Sequence, residues 1–243
     1  MLKILFSPSE GKNSGGTPKQ KELFGDSSTR KDILHAYNKI VLSEDEESIK
    51  ALFGIKNYKD CTPYINDILT APTLKAIERY QGVAYDYLKY SQLNKHAQEY
   101  LQKNTLIFSN LFGPILGENL IPNYKVKQGN NIGEIIPDKY YKERFSHQLD
   151  LFLNKAEILD LRAGYYHKFY KLKQPYTTLK FLKDGKSISH WAKAYRGIVL
   201  RELAMHQVDS LQEFMALEIE GLQVKEIKKI KDKCEIVYDI VEG

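Results

Sequence analysis

The 243-residue sequence has no apolar run of about eighteen residues, the length needed to cross a bilayer as a helix. Its apolar start, Leu2–Phe6, meets Ser7 and Pro8 too early for a signal peptide. The two cysteines, Cys61 and Cys234, lack the spacing of a metal-binding pair. These absences argue against a membrane protein or a disulfide-stapled secreted protein. We therefore expect a cytoplasmic protein with free thiols.

Several catalytic and metal-binding motifs are also missing. The chain contains no Gly-x-Ser-x-Gly elbow, and its six histidines are scattered without the spacing of zinc or iron ligands. Gly11 and Lys12 do not form a Walker A loop, because the upstream glycine and the following helix start are wrong for one. The sequence therefore predicts no metal and no cofactor.

The charge balance is mildly basic. Lys and Arg number 36 against 31 Asp and Glu, a net charge of +5 that is compatible with a nucleic-acid partner. The acidic run at residues 43–47 leaves the rest of the chain more basic than this total suggests. The 17 tyrosines could stack on bases, but we expect most of them at the margin of the core.

A chain of this length can bury a sizeable core without disulfides or structural metals, and its length allows either one domain or two packed lobes. No internal repeat or low-complexity linker is visible, which favours one unit. We expect a compact α/β (mixed α+β) fold, with a mixed β-sheet surrounded by helices, as a single domain over residues 1–243.

Hydrophobic periodicity predicts the main elements. The expected strands are Leu2–Phe6, Thr105–Ser109, 157–161, 177–181 and two strands within 222–240. The expected helices are 30–41, Glu46–Phe53, 64–80 with a kink or break at Pro72, 94–102, 138–153, 190–205 and 210–216. Residues 83–88 fit either a strand or a short helix, and residues 124–127 are expected to be extended.

The first candidate site follows the first predicted strand. Residues 7–12 read Ser-Pro-Ser-Glu-Gly-Lys, a polar loop whose Gly11 and Lys12 can approach a phosphate. Loops at the carboxyl ends of strands are where open sheets bind ligands. The alternative is an ordinary polar turn.

The second candidate is the long predicted helix near the C-terminus. At about 100° per residue, Lys193, Arg196 and Gly197 share one strip, whereas most of the circumference is apolar. We therefore expect a largely buried helix whose two cations face an anion, beside a glycine that allows close approach. The alternative is a structural ion pair with Asp160 or Glu10.

The third candidate lies where an apolar strand ends. Asp160, Arg162 and Lys168 are interleaved there with aromatic residues, a mixture suited to phosphate contact and base stacking. A charged Asp160 in an apolar strand needs a cationic partner. Residues 124–129 show a similar mixture, whereas the lysine-rich run at 225–233 predicts a solvated hairpin.

Six segments together resemble the YaaA peroxide-stress family. They are Ser-Pro-Ser-Glu-Gly-Lys at 7–12, Tyr-Gln-Gly-Val-Ala-Tyr at 80–85, Ser-Asn-Leu-Phe-Gly at 109–113, Tyr-Lys at 124–125, Asp-Leu-Arg at 160–162 with Tyr166, and Lys-Ala-Tyr-Arg-Gly at 193–197. Each segment alone is weak, but their joint occurrence in this order over most of the chain is specific.

The resemblance implies a family-specific α/β fold with a positively charged cleft. It also implies DNA binding and a role in limiting oxidative damage by lowering unincorporated iron under peroxide stress. A helix-hairpin-helix element is implied as well, and its place here would be residues 190–207 joined to 210–216. This chain lacks the Gly-x-Gly hairpin of that element.

The residues and the resemblance together predict one basic cleft that binds duplex or distorted DNA. Recognition should follow shape and not sequence, because no base-reading pattern is visible. The expected phosphate-binding cations are Lys12, Lys125, Lys127, Arg162, Lys168, Lys193 and Arg196. Ser7, Ser9 and Glu10 are expected to line the cleft, and Tyr85 and Tyr166 to stack on unpaired bases.

The main alternative is an enzyme acting on damaged DNA or on a nucleotide-like small molecule. In such a lyase or glycosylase, Lys12 or Lys193 beside a carboxylate such as Glu10 or Asp160 would attack a sugar carbon. A second alternative is an iron-sequestering protein. The sequence disfavours it, because no carboxylate–histidine cluster with helical spacing occurs.

Overall fold

A computed structural model describes residues 1–18 and 23–241 of the chain. Its strands are β1 (Leu2–Phe6), β2 (Gly11–Lys12), β3 (Thr73–Lys75), β4 (Tyr80–Gln81), β5 (Thr105–Ser109), β6 (Gly113–Leu116), β7 (Leu120–Pro122), β8 (Glu157–Asp160), β9 (Tyr176–Lys183), β10 (Lys186–Ser187), β11 (Leu222–Ile230) and β12 (Lys233–Ile240). Its α-helices are α1 (Lys31–Val41), α2 (Glu46–Phe53), α3 (Ala76–Arg79), α4 (Val83–Leu88), α5 (Lys95–Asn104), α6 (Pro137–Leu153), α7 (Ser189–Met205) and α8 (Leu211–Ala216). Short 3₁₀ helices span Ser27–Arg30, Tyr58–Tyr64, Tyr90–Gln92 and Gly164–Lys168.

Eight of these strands form one mixed sheet, in the order β11-β12-β9-β8-β1-β5-β6 with β10 beside β9. The inner strands β12, β9, β8, β1 and β5 run parallel, and β11 and β6 close the edges in antiparallel pairs. Every residue of β1 and β5 is buried, as expected for parallel strands covered on both faces. The predicted α/β fold with a mixed sheet is confirmed.

Most of the predicted elements are present. The strands at Leu2–Phe6 and Thr105–Ser109 and the helix Glu46–Phe53 have the predicted bounds, and residues 83–88 form a helix. The lysine-rich segment near the C-terminus is the hairpin β11–β12, and most of β11 is exposed. Residues 124–127 lie outside the strands.

The helix expected over residues 64–80 is wrong. Thr73–Lys75 pairs instead with Leu120–Pro122 as an antiparallel strand. The preceding turn is held by Asn38, whose amide nitrogen donates to the Asp67 carboxylate at 2.7 Å and whose oxygen accepts from the Ile68 amide at 2.9 Å. These contacts with a distant helix override the local apolar period.

Arg79 fixes the same region against the N-terminal loop. Its guanidinium is fully buried and donates to backbone carbonyl oxygens of Asn13, Gly15, Pro72 and Ile121. Burial lowers the pKa of Arg79 to about 10, so the side chain stays charged at neutral pH. One arginine thereby satisfies several carbonyls that loops would otherwise leave unpaired.

Helix α7 is less buried than its apolar circumference predicts. Leu200 is fully buried, but Trp191 is 48% exposed and Met205 45% exposed. A Cβ on Gly197 would lie 2.0 Å from the backbone oxygen of Ala84 in α4. The expectation that this glycine admits a ligand is therefore wrong, since Gly197 allows two helices to touch.

No helix among the described residues is both long and apolar enough to cross a membrane. The single domain expected over residues 1–243 includes residues 19–22 and 242–243, which lie outside the described part. It stays a prediction.

Substituting Gly197→Ala should lower the free energy of unfolding by about 1–3 kcal/mol, because overpacking against the α4 backbone outweighs the gain in helix propensity. Urea denaturation measures the change. Gly164→Ala is the matched control, since an added Cβ there meets nothing within 4 Å. Its effect should stay within about 0.5 kcal/mol. Equal effects of the two substitutions would contradict the helix-contact role of Gly197.

Candidate functional site

The adjacent strands β1 and β8 send their connections in opposite directions across the sheet. From β1 the chain proceeds to β5 on one side, and from β8 it proceeds to β9 on the other. In open α/β sheets, ligands bind outside the carboxyl ends of the strands at such a switch point. The loop after β1 and the segment after β8 meet there and form a hollow that we call the switch-point cavity.

The switch-point cavity has a volume of about 370 Å³, which is within the range of small-ligand sites. Its walls come from the loop after β1, the start of α4, the segment after β8, and α7. The structure brings seven of the predicted site residues together on these walls. They are Ser7, Ser9, Glu10, Tyr85, Tyr166, Lys193 and Arg196.

Ser7 links three walls of the cavity. Its carbonyl oxygen accepts a hydrogen bond from the Tyr85 hydroxyl at 2.9 Å, and its Oγ accepts from the Ala163 amide at 2.8 Å. The Tyr85 ring also packs edge-on against Phe6, with ring centroids 5.6 Å apart. These contacts fix the β1 loop against α4 and the segment after β8.

Arg162 does not face the cavity. Its Nε and Nη2 donate to both oxygens of the Asp160 carboxylate, at 2.9 and 2.8 Å, and both side chains are 2% exposed. Its Nη1 donates to the carbonyl oxygens of Tyr166 and Tyr170. The cationic partner expected for Asp160 is therefore Arg162. Its guanidinium is enclosed and does not line the cavity, so its predicted phosphate contact finds no support in this arrangement.

Lys12 is also enclosed. Its Nζ donates to the carbonyl oxygens of Ser9 and Glu10, at 3.1 and 3.3 Å. The same atom lies 4.0 Å from the ring centroid of Tyr124 and 5.4 Å from that of Tyr80. Lys12 therefore supports the β1 loop from beneath and does not line the switch-point cavity, contrary to its predicted role as a cleft cation.

The environment of Lys12 disfavours its charged form. Burial, which is the largest cause, and the positive charges of Lys125 and Arg79 together lower its pKa to about 7, although the Glu10 carboxylate opposes the shift. The ammonium is held by two carbonyl acceptors and by cation–π contact with the tyrosine rings, which favour its charged form. The amine therefore titrates near neutral pH in the folded protein.

Glu10 and Lys125 form an ion pair at the rim of the cavity. Lys125 Nζ lies 3.5 Å from Glu10 Oε2, and Glu10 Oε1 accepts from the Gln128 amide at 3.0 Å. Much of the charge of Lys125 is thereby neutralised. Gln128 also lines the cavity, and it was not among the site residues predicted from the sequence. The available signal was its place directly after the segment that contains Lys125 and Lys127.

Lys193 and Arg196 are the predicted cations that line the cavity. Neither has a hydrogen bond or an ion pair with another residue in the described part of the chain. The expected alternative, an ion pair with Asp160 or Glu10, is absent because those carboxylates pair with other cations. Burial lowers the pKa of Arg196 and Asp160 raises it. A partly buried guanidinium without a bonded counter-charge favours an anion.

Lys127 and Lys168 lie outside the switch-point cavity, and both are exposed. The stem of Lys127 packs against Gly54 at the end of α2. Lys168 Nζ lies 5.2 Å from the centroid of the Tyr165 ring. These two cations could reach only a partner that extends beyond the cavity.

Tyr85 and Tyr166 line the cavity but are 7% and 4% exposed. Burial raises the pKa of both hydroxyls. Their rings are therefore accessible to a group inside the cavity and not to bases passing over an open surface. Nearby, Tyr80 and Tyr124 are buried in the core, and their hydroxyl oxygens form a hydrogen bond of 2.8 Å.

The turn between α7 and α8 is the place expected for a helix-hairpin-helix element. The Asp209 amide donates to the Glu213 carboxylate at 2.7 Å, and the Leu211 amide donates to the carboxylate of Glu157. The Glu213 amide donates to Ser210 Oγ at 3.1 Å. These amides are engaged by protein acceptors, and none of these residues lines the switch-point cavity.

Potential metal ligands do not cluster in the described part of the chain. Across residues 1–18 and 23–241, no group of three or more His, Cys, Asp or Glu side chains is placed to hold an ion. The polar groups that converge at the cavity include serine hydroxyls, one carboxylate and two cations, and these described residues form no metal-binding cluster there.

Comparison with known proteins gives a consistent picture. A family model described as "Peroxide stress protein YaaA" matches residues 2–228. The chain is 44% identical over 249 aligned residues to an uncharacterised protein of Campylobacter jejuni, covering 99% of this chain and 100% of that protein. It is 27% identical over 249 aligned residues to a UPF0246 protein of Fusobacterium nucleatum, covering 98% of both chains.

Substituting Asp160→Ala should lower the free energy of unfolding by about 3–5 kcal/mol, because it leaves the buried Arg162 guanidinium unpaired. Chemical denaturation provides the measurement. Lys225→Ala is the control, since it breaks an exposed pair with Asp239 at 2.9 Å and should cost less than about 1 kcal/mol. A cost for Asp160→Ala as small as that of the control would show that the pair is not a buried anchor.

Lys12 should make stability depend on pH. Its pKa is about 7 in the folded chain, below the model-compound value of 10.5 expected when unfolded. Between these values the unfolded chain binds the extra proton, so the free energy of unfolding should rise with pH by up to about 1.4 kcal/mol per unit. Denaturation of wild type and Lys12→Met from pH 7 to 9 measures the difference. Parallel profiles would mean that Lys12 keeps an ordinary pKa.

Proposed function

The chain belongs to the peroxide stress protein YaaA family, which gives it a role in peroxide stress, and from this premise we propose that it acts by binding DNA. The bound partner is duplex or distorted DNA, held through phosphate contacts and local shape without base readout. In this proposal the DNA contact is the means by which the protein limits iron-dependent oxidative damage.

The observation that carries the proposal is the position of Lys193 and Arg196. Both cations line a cavity at the carboxyl ends of parallel strands, and neither is paired with an acid of the described chain. Arg196 is partly buried, so folding removes some of the water that would hydrogen-bond its guanidinium. A phosphate that binds there would replace those hydrogen bonds with charge-assisted ones. Exposed Lys127 and Lys168 provide further positive charge for a polymer that extends past the cavity.

The number of available cations limits the binding mode. Of the predicted phosphate contacts, Lys12 and Arg162 are enclosed and Lys125 is paired with Glu10. The turn between α7 and α8 is not used in this proposal, because its amides are already bonded. We therefore expect few phosphate contacts and an affinity that depends on salt with a shallow slope.

A lysine nucleophile acting on damaged DNA stays the alternative. Of its two candidate residues, Lys193 lines the cavity and Lys12 is enclosed. Asp160 is fully engaged by Arg162, which leaves Glu10 as the candidate carboxylate on the cavity wall. Borohydride trapping on lesion-containing DNA, lost in Lys193→Ala, would favour this alternative over simple binding.

Arg196→Gln and Lys193→Gln should each weaken DNA binding and reduce the slope of log affinity against log salt by about one. Fluorescence anisotropy on duplex, single-stranded and bulged DNA at several salt concentrations gives both quantities. The reason is the loss of one phosphate contact in each variant.

Lys142→Gln is the charge-matched control, because Lys142 is exposed on α6 and does not line the cavity. It should leave the salt slope unchanged. If all three substitutions weaken binding equally, the affinity depends only on the net charge of the protein, and the switch-point cavity is not the DNA-binding site.

A further inference from the structure

The switch-point cavity is larger than a bare phosphate needs. Its volume of about 370 Å³ falls in the range that holds a small organic ligand, and an inorganic phosphate would leave much of it empty. The cavity is therefore shaped for a ligand that has an anionic group and a body. Its lining shows the chemistry of both parts.

The anionic part is specified by α7. Arg196 and Lys193 are three residues apart on this helix, so both side chains project toward the same side of the cavity. The acid that influences Arg196, Asp160, is held in a two-oxygen pair with Arg162. The guanidinium thus keeps its donors for an external anion such as a phosphate.

The body of the ligand is specified by the other walls. Val83, Leu161 and Ala163 contribute apolar surface, and the rings of Tyr85 and Tyr166 contribute flat aromatic surface. A flat ring system fits such walls better than an aliphatic chain, because aromatic rings pack on one another at defined geometries.

The remaining polar groups on the walls include an acidic acceptor. The Glu10 carboxylate lines the cavity while bonded to Lys125 and to the Gln128 amide, and Ser9 lines the same cavity with a hydroxyl that can donate or accept. A carboxylate oxygen has further acceptor sites and can take an N–H or O–H of a ligand. A carboxylate would repel a purely anionic ligand, so its presence favours a ligand that also carries donors.

We propose that the switch-point cavity binds one nucleotide unit, with its phosphate on Arg196 and Lys193 and its base or sugar between the tyrosine-lined wall and Glu10. The choice of a nucleotide among flat phosphorylated ligands rests on the proposed DNA binding. The unit is either a free nucleoside monophosphate or the phosphorylated end of a DNA strand. The shared chemistry is a phosphate that carries a sugar and a flat, donor-bearing base.

Isothermal titration calorimetry of the wild-type chain with the four deoxynucleoside 5′-monophosphates tests this inference. At least one of them should bind saturably, and the matching nucleoside and inorganic phosphate should each bind about 10-fold more weakly or worse, because each lacks one half of the recognition. Arg196→Gln should reduce the affinity about 10-fold or more, and Lys142→Gln should leave it unchanged.

Ala163→Phe adds a size test that leaves every charge in place. Ala163 lines the cavity in extended backbone that any residue adopts, so a phenyl ring there should fill the space and abolish mononucleotide binding. Thermal unfolding checks that the variant folds. If it does not fold, Arg196→Gln and the comparison with inorganic phosphate still decide the matter.

Oligonucleotides separate the two sources of the ligand. Tighter binding of a 5′-phosphorylated single strand than of its unphosphorylated form indicates a strand end, and equal binding together with mononucleotide binding indicates a free nucleotide. Either result supports the inference. No saturable mononucleotide binding, or inorganic phosphate binding as tightly as the nucleotide, would overturn it. DNA binding that persists in that case would leave the proposed function standing.

Discussion

The carboxyl edge of the parallel strands depends on the buried pair between Asp160 and Arg162. A carboxylate and a guanidinium that are both 2% exposed must satisfy each other, because either alone would be costly in the interior. The pair is bidentate, and Arg162 also bonds two carbonyl oxygens of the following segment. It therefore fixes the path of the chain after β8. It also engages Asp160, the acid that raises the pKa of Arg196, so that the Arg196 guanidinium has no bonded counter-charge among the residues that the structure describes.

The other cations near the cavity are likewise distinguished by whether the protein itself satisfies their charge. Lys125 is paired with Glu10, and Lys12 is held by carbonyl oxygens and tyrosine rings. Positive residues that lie near one another in the fold thus have different roles: some support the structure internally, and others line the cavity with hydrogen-bond donors. Gly197 completes the arrangement, because its missing side chain lets α7 touch α4 and brings the two helical walls together.

The fold was largely predictable from the sequence because its strands are short apolar runs between polar turns. Leu2–Phe6 and Thr105–Ser109 were placed correctly on this basis. The segment at 64–80 was not, since its structure depends on hydrogen bonds from Asn38 and on the buried guanidinium of Arg79, which local periodicity does not reveal. Distant partners decided the outcome there.

The candidate site was predictable in its residue types but not in their roles. The sequence indicated that Asp160 needs a cationic partner and that Arg196 could be that partner. It had no means to show that Asp160 pairs with Arg162 and not with Arg196. Gln128 was missed because it bonds Glu10 through its backbone amide, and only its place after Lys125 and Lys127 in the sequence pointed to it.

The central proposal is that DNA contacts the carboxyl edge of the sheet, at the switch-point cavity. The lysine-rich hairpin β11–β12 is a separate exposed surface that the proposed contact does not use. Hydrogen–deuterium exchange of the chain with and without bulged duplex DNA tests this directly. The account predicts DNA-dependent protection of amides at residues 7–10, 82–85, 161–166 and 193–197, with the hairpin at 222–240 unchanged. Protection confined to the hairpin, with no change at the switch-point cavity, would contradict it.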